Sequence, residues 1–170
     1  MRALLISPNR EEINMRSWPL GLACVAAAAE AAGHEVRALD LISEPDPFAA
    51  LVEAYRSFRP QVTGMSVRNI DDQRMDSPAF MLDDVRTVVS QCKELSDSPV
   101  ILGGAGYSMF PVAALNYLGA DMGIQGEGEA AFVSLLEHLE RGEEVSTIPG
   151  VFVTGLPARW ERSFVHDLDS

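Results

Sequence analysis

The stretch PVILGGAGYSMFP, residues 99–111, decides the fold. Pro99–Leu102 is a short apolar run without polar alternation, which is how a strand buried on both faces reads. It runs straight into Gly103-Gly104, and Pro111 then opens a short helix carrying Val112, Leu115 and Leu118. The pattern recurs on both sides. Upstream, Ser77–Pro78 is a helix cap-and-proline signal, followed by Met81, Leu82, Val85, Val88, Val89, Cys92 and Leu95 on one helical face. Val62–Val67 reads as a strand, and Asp46-Pro47 caps a helix marked by Phe48, Leu51, Val52, Tyr55 and Phe58. Glu35–Leu41 and Ala3–Ser7 are strands. They flank a helix over Pro19–Ala32, with Ser17 or Trp18 near its cap and Gly33 as its stop. Downstream, Asp121–Gln125 is a strand, and Phe132, Leu135, Leu136 and Leu139 line a final helix ending near Gly142.

Strands alternating with helices imply right-handed crossovers and a parallel sheet covered on both faces. Five such units predict an α/β, flavodoxin-like (Rossmann-like), doubly wound five-stranded parallel sheet over residues 1–143. Residues 144–170 change character. Ile148–Thr154 and Arg159–Val165 read as two short strands around Gly155 and Pro157, a C-terminal β extension that is expected to be a hairpin and linker.

Composition narrows the function. The chain has 170 residues, 47% hydrophobic and 22% charged, and a net charge of −12 from 13 basic and 25 acidic residues. An acidic chain is a poor partner for nucleic acid, whose binding rests on Lys and Arg neutralising phosphates. No run approaches the roughly 20 apolar residues that span a bilayer, and the N-terminus lacks a signal-peptide pattern, so no membrane partner and a cytoplasmic location are expected. Cys24 and Cys92 are expected to be small buried residues in helices. No CxxC or CxxxCxxC occurs, so the chain's own thiolates do not form an iron–sulfur cluster site.

In a doubly wound sheet, ligands bind beyond the carboxyl ends of the strands. The first such loop, from Pro8 to Asn14, contains neither the GxGxxG of a dinucleotide fold nor a Ser/Thr-rich phosphate loop. Strand three ends in Ser66 and Val67 rather than a phosphorylatable aspartate. The loop after it, Ser66 to Gln73, has six polar or charged residues, suited either to solvent or to the rim of a large polar ligand. The loop after strand four, Gly103-Gly-Ala-Gly-Tyr-Ser108, bares backbone. The loop after strand five, Gly126-Glu-Gly-Glu129, places two acids where a helix starts, and these can also accept hydrogen bonds from hydroxyls or amides. Together the loops describe a wide, glycine-floored cleft with polar rims.

These residues resemble the cobalamin-binding domain that precedes many radical SAM domains. The likeness runs through Pro19-Leu-Gly-Leu-Ala, Gly33-His-Glu-Val with Asp40, Gly64-Met-Ser-Val, Leu102-Gly-Gly-Ala-Gly-Tyr-Ser with Pro111, Leu118-Gly-Ala-Asp, Gly126-Glu-Gly-Glu and Ile148-Pro-Gly-Val. The resemblance implies a corrin lying across the strand ends. Its dimethylbenzimidazole tail would enter a slot beside strand one, contacting Ser66 and Gly103-Gly104, with Gly126, Glu127 and Gly128 on the far side. The full expected cofactor-binding set is Pro8, Ser66, Arg68, Asn69, Gly103, Gly104, Ala105, Gly106, Gly126, Glu127 and Gly128. No catalytic residue and no protein metal ligand are expected.

Mutase-type relatives carry Asp-x-His-x-x-Gly after strand one, where the histidine ligates cobalt. The loop after strand one here has no histidine, and His34, His138 and His166 all lie elsewhere, as structural or solvated residues. Base-off binding without a protein histidine is therefore expected. Arg68 either sits under the lower corrin face or pairs with Asp71 or Asp72. The implied function is a cobalamin-binding module of a B12-dependent radical SAM enzyme, for methyl transfer or radical rearrangement. Its [4Fe-4S] cluster and S-adenosylmethionine would be held only in a radical SAM domain outside this sequence. Two alternatives stay open: a flavodoxin-like domain for a flavin or nucleotide-sugar, and a degenerate domain acting as a scaffold.

Overall fold

The computed structural model describes residues 1–10, 19–71, 76 and 80–157. In chain order the elements are β1 (Arg2–Ser7), α1 (Leu20–Ala31), β2 (Glu35–Asp40), α2 (Pro47–Phe58), β3 (Val62–Ser66), α3 (Leu82–Leu95), β4 (Val100–Gly103), α4 (Ala105–Met109), α5 (Pro111–Leu118), β5 (Met122–Ile124), α6 (Glu129–Arg141) and β6 (Val151–Val153). They form a six-stranded sheet in the order β2-β1-β3-β4-β5-β6. Strands one to five are parallel, as expected, and β6 is antiparallel to β5 with Gly123 opposite Phe152. The order reverses between β1 and β3, so the crevice for a ligand opens at the carboxyl ends of that pair.

Strand periodicity divides the core into two halves. Leu4, Ile6, Met65, Val100, Leu102 and Phe152 face α2, α3 and α5. Ala3, Leu5, Val62, Ile101, Met122, Ile124 and Val151 face α1 and α6. The caps follow the sequence signals. Asp46 Oδ1 accepts from the Ala49 amide at 3.0 Å with Pro47 in the first turn of α2. Gly119 and Gly142 end α5 and α6 in the left-handed region.

Several expectations change. Pro19 stands at the N-cap of α1, without a side-chain cap bond, while Ser17 and Trp18 lie outside the described residues. The Ser77–Pro78 signal lies outside them too. The glycine loop after β4 is shorter than expected, because Ala105–Met109 winds into a helical turn. Cys24 is exposed rather than buried, since the outward side of α1 is itself made of small apolar residues, whereas Cys92 is buried. Of the C-terminal extension, Val151–Val153 forms β6 and the partner expected at 159–165 lies outside the described residues. Among the described residues no helix is long and apolar enough to cross a membrane.

Tyr107 locks α4 onto the sheet. It is fully buried, and its ring lies where a Cβ on Gly123 would overlap the phenol. Its hydroxyl finds no partner among the described residues. Gly123→Ala should therefore lower the urea midpoint, at a cost of about 1–3 kcal/mol for overpacking a rigid site. Tyr107→Phe should leave the midpoint unchanged or raise it, because it removes an unpaired buried polar group. An unchanged midpoint in Gly123→Ala would contradict the contact.

Candidate functional site

The site is built on a seam between the loops that leave β3 and β4. The Val67 amide donates to the Gly103 carbonyl at 2.7 Å, continuing the strand ladder one residue past β3. The Val67 carbonyl then accepts from the Gly106 amide at 3.0 Å and the Tyr107 amide at 3.4 Å. This close approach explains two of the three glycines. Gly104 has φ +95°, and a Cβ there would stand 2.7 Å from the Val67 carbonyl oxygen. A Cβ on Gly106 would stand 3.0 Å from the Arg68 carbonyl oxygen. Gly103 differs, because a Cβ there would meet nothing within 4 Å. Its bare backbone faces open space, as a ligand floor requires.

A second tie joins this loop to the one after β5. Ser108 Oγ donates to the Gly104 carbonyl at 2.9 Å and accepts from the Gly126 amide at 3.0 Å. Gln125, buried behind it, donates from Nε2 to the Ser108 carbonyl at 3.0 Å. One serine therefore sets the separation of Gly103-Gly104 from Gly126-Glu127-Gly128.

Between these loops, on the α1/α6 side of the sheet, lies a cleft of about 400 Å³, a size typical of small-molecule sites. Its mouth carries Ser66, Gly103, Gly104, Ala105, Ser108, Gly126, Glu127, Gly128 and Glu129. Two residues further back along each strand lie Gly64, Ile101 and Ile124, joined by Leu5 of β1. At about 3.3 Å per residue this second layer is roughly 7 Å deeper. Its walls are Leu22 and Val25 from α1 and Phe132 from α6. A Cβ on Gly64 would reach 2.5 Å from Leu5 Cδ2 and 3.5 Å from the Phe132 ring, so a side chain at this position would crowd the cleft floor.

A smaller polar pocket opens at the switch point between β1 and β3. Pro8, Asn9, Arg10, Ser66, Arg68, Asn69, Met81, Asp84 and Val85 line it. Ser66 borders both sites. Arg68 and Asn69 are exposed on its rim.

Of the eleven expected residues, the cleft gathers Ser66, Gly103, Gly104, Ala105, Gly126, Glu127 and Gly128, and the switch-point pocket gathers Pro8, Ser66, Arg68 and Asn69. Gly106 lines neither and belongs to the seam. The sequence reading missed the apolar interior (Leu5, Leu22, Val25, Ile101, Ile124 and Phe132) because these residues read as ordinary core. It also missed Ser108, whose role appears only once two loops meet.

The described histidines stay away from both pockets. The N-terminal ammonium lies 3.0 Å from His34 Nδ1, and burial, followed by this ammonium, lowers the His34 pKa. His138 Nδ1 lies 2.7 Å from the Ser134 carbonyl oxygen, within α6. Among the described residues no cluster of three His, Cys, Asp or Glu side chains can hold a metal ion. The described donor set suits a large organic ligand held by shape and hydrogen bonds.

Ser108→Ala removes the bond from the Gly126 amide and the bond to the Gly104 carbonyl that orients the hydroxyl, and leaves Gln125 on the Ser108 carbonyl. Hydrogen exchange at the Gly126 amide should accelerate by about an order of magnitude, with a stability loss of about 1–2 kcal/mol. Unaltered protection at Gly126 would show that Ser108 does not hold the two loops together.

Comparison with known proteins identifies the family. Tryptophan 2-C-methyltransferase of Streptomyces laurentii is 31% identical over 161 residues, covering 93% of this chain and 26% of that enzyme. The radical S-adenosylmethionine methyltransferase TsrM from Kitasatospora setae, solved with tryptophan substrate and a SAM analog, superposes with TM-score 0.84 at 29% identity. That match covers 89% of this chain and 28% of TsrM. TsrM solved with cobalamin and a [4Fe-4S] cluster gives TM-score 0.80 at 30% identity, covering 89% of this chain and 27% of that one. The chain thus spans between a quarter and a third of these proteins' length. The profile of the B12 binding domain matches residues 7–136, which takes in the seam and every lining residue of the two pockets but Leu5, and the chain belongs to that family.

Proposed function

We propose that this chain holds cobalamin base-off, without a protein histidine on cobalt, as the cofactor module of a radical SAM methyltransferase. The observation that carries the reading is the layered cleft. Its apolar interior beside Gly64, between α1 and α6, would take a flat apolar base, and its polar mouth would meet the ribose and amide groups of the nucleotide. Cobalamin is a methyl carrier whose cobalt chemistry belongs to the cofactor, while the protein supplies position and exclusion. Ser66, Gly103 and Gly104 would contact the nucleotide. Gly126, Glu127 and Gly128 would close the far side, and Pro8, Arg68 and Asn69 would meet the corrin at the switch point.

The names of the relatives favour methyl transfer over rearrangement. Both the Streptomyces laurentii and Kitasatospora setae proteins are methyltransferases. The [4Fe-4S] cluster and S-adenosylmethionine would sit in a radical SAM domain of the same polypeptide, reached through residues 144–170. A reducing, cytoplasmic setting suits the free thiols of Cys24 and Cys92.

Arg68 lies two residues past β3, on the rim where the lower corrin face would lie. A guanidinium does not deprotonate in proteins and so offers no lone pair to cobalt. It would hold that face free of a nitrogen ligand and leave cobalt five-coordinate.

Titration with hydroxocobalamin should give saturable binding with a base-off visible spectrum. After reduction, the EPR spectrum should lack nitrogen superhyperfine splitting. Arg68→Ala should alter that EPR spectrum while the cofactor stays bound. Nitrogen coupling in the bound cofactor would refute base-off, histidine-free binding. No binding at high micromolar cobalamin would refute the module itself, and an unchanged Arg68→Ala spectrum would remove the arginine from the lower face.

A further inference from the structure

We infer that the cleft selects among cobamides by the base of the nucleotide tail, favouring apolar bases such as dimethylbenzimidazole over adenine. The inference rests on the proposed seating of the tail between α1 and α6. It concerns what the interior of that cleft accepts.

The cleft is polar only at its mouth. Ser66, Ser108, Glu127 and Glu129 supply the side-chain oxygens there. Ser108 Oγ is already engaged by the Gly104 carbonyl and the Gly126 amide. The interior layer of Leu5, Gly64, Ile101, Ile124, Leu22, Val25 and Phe132 has no side-chain donor or acceptor. Much of its backbone is committed too. Leu5, Gly64 and Ile101 are paired with neighbouring strands on both sides, Val25 lies within α1, and the Phe132 amide donates to the Gly128 carbonyl at 2.7 Å. Among the described residues, the four buried side-chain atoms without a partner belong to His34, Asp40, Ser98 and Tyr107, none of which lines the cleft. The interior therefore offers a ligand no side-chain hydrogen bond.

Dimethylbenzimidazole presents a ring edge with two methyl groups to such an interior and asks nothing of it. Adenine brings an exocyclic amine and ring nitrogens that would leave water without replacement partners. A buried polar group left unpaired is penalised heavily, and the loss of two methyl contacts adds to the difference. Together these predict binding roughly ten- to a hundredfold weaker for the adenine-bearing cobamide.

The test is the dissociation constant of four cobamides on the full chain, read from the visible spectrum: cobalamin, the adenine analogue, an analogue with a p-cresol base, and cobinamide, which lacks the nucleotide. The cresol base does not coordinate cobalt. It thus controls for the cost of detaching the base in free solution, which lowers the apparent affinity of any ligand that must first open. The cresol analogue should bind at least as tightly as cobalamin, the adenine analogue at least tenfold more weakly than the cresol analogue, and cobinamide most weakly. Ile101→Thr, which places a hydroxyl in the interior layer, should narrow the gap between the cresol and adenine analogues severalfold. Equal binding of the adenine and cresol analogues, both tighter than cobinamide, would overturn the selectivity and leave the tail seating intact. Cobinamide binding as tightly as cobalamin, or no binding by any of the four, would overturn the seating itself.

Discussion

The carbonyl of Val67 is the point on which the site depends. It lies one residue past β3 and accepts two amides from the turn after β4, at 3.0 and 3.4 Å. Through this one oxygen the carboxyl ends of two central strands become a single rigid rim. The geometry leaves no room for a side chain at Gly104, and Gly106 is tightly confined beside the Arg68 carbonyl. The neighbouring Gly103 is therefore presented to the cleft by a loop whose shape is already determined by backbone bonds. Ser108 and Gln125 extend the same rigidity to the loop after β5. A rim assembled in advance spends little binding energy on ordering itself.

The two faces of the sheet are packed differently, and that difference creates the cleft. On one face large side chains from α2, α3 and α5 fill the space, with Tyr107 pressed against Gly123. On the other face α1 contributes alanines and Gly21, and the sheet contributes Gly64 and Gly103 at the carboxyl end. Towards the amino end of the strands Ala3, Val62, Met122 and Leu136 close the core normally. The cleft opens at the carboxyl ends of β3, β4 and β5, the end of a doubly wound sheet at which ligands bind.

Much of the fold was legible in the sequence. Buried parallel strands read as plain apolar runs, and Asp46-Pro47, Gly119 and Gly142 mark helix ends by chemistry that hardly depends on tertiary context. The outward exposure of Cys24 was not legible, because α1 has small apolar residues on both sides and its periodicity is weak. The rim of the site was legible through its glycines and polar loops. Its interior was not, since Leu5, Ile101, Ile124 and Phe132 belong to the core and border the cleft at the same time. The glycines also concealed a division of labour. Sequence alone does not tell Gly103, which faces space, from Gly104 and Gly106, which accommodate a neighbouring backbone.

The central claim is that the nucleotide tail lies between α1 and α6, away from cobalt. A crystal structure of the chain with cobalamin tests this most directly. The account predicts density for the benzimidazole against Gly64, with Ile101, Ile124 and Phe132 around it, and no histidine within bonding distance of the metal. A benzimidazole folded back onto cobalt, with the α1/α6 cleft filled by water alone, would contradict it.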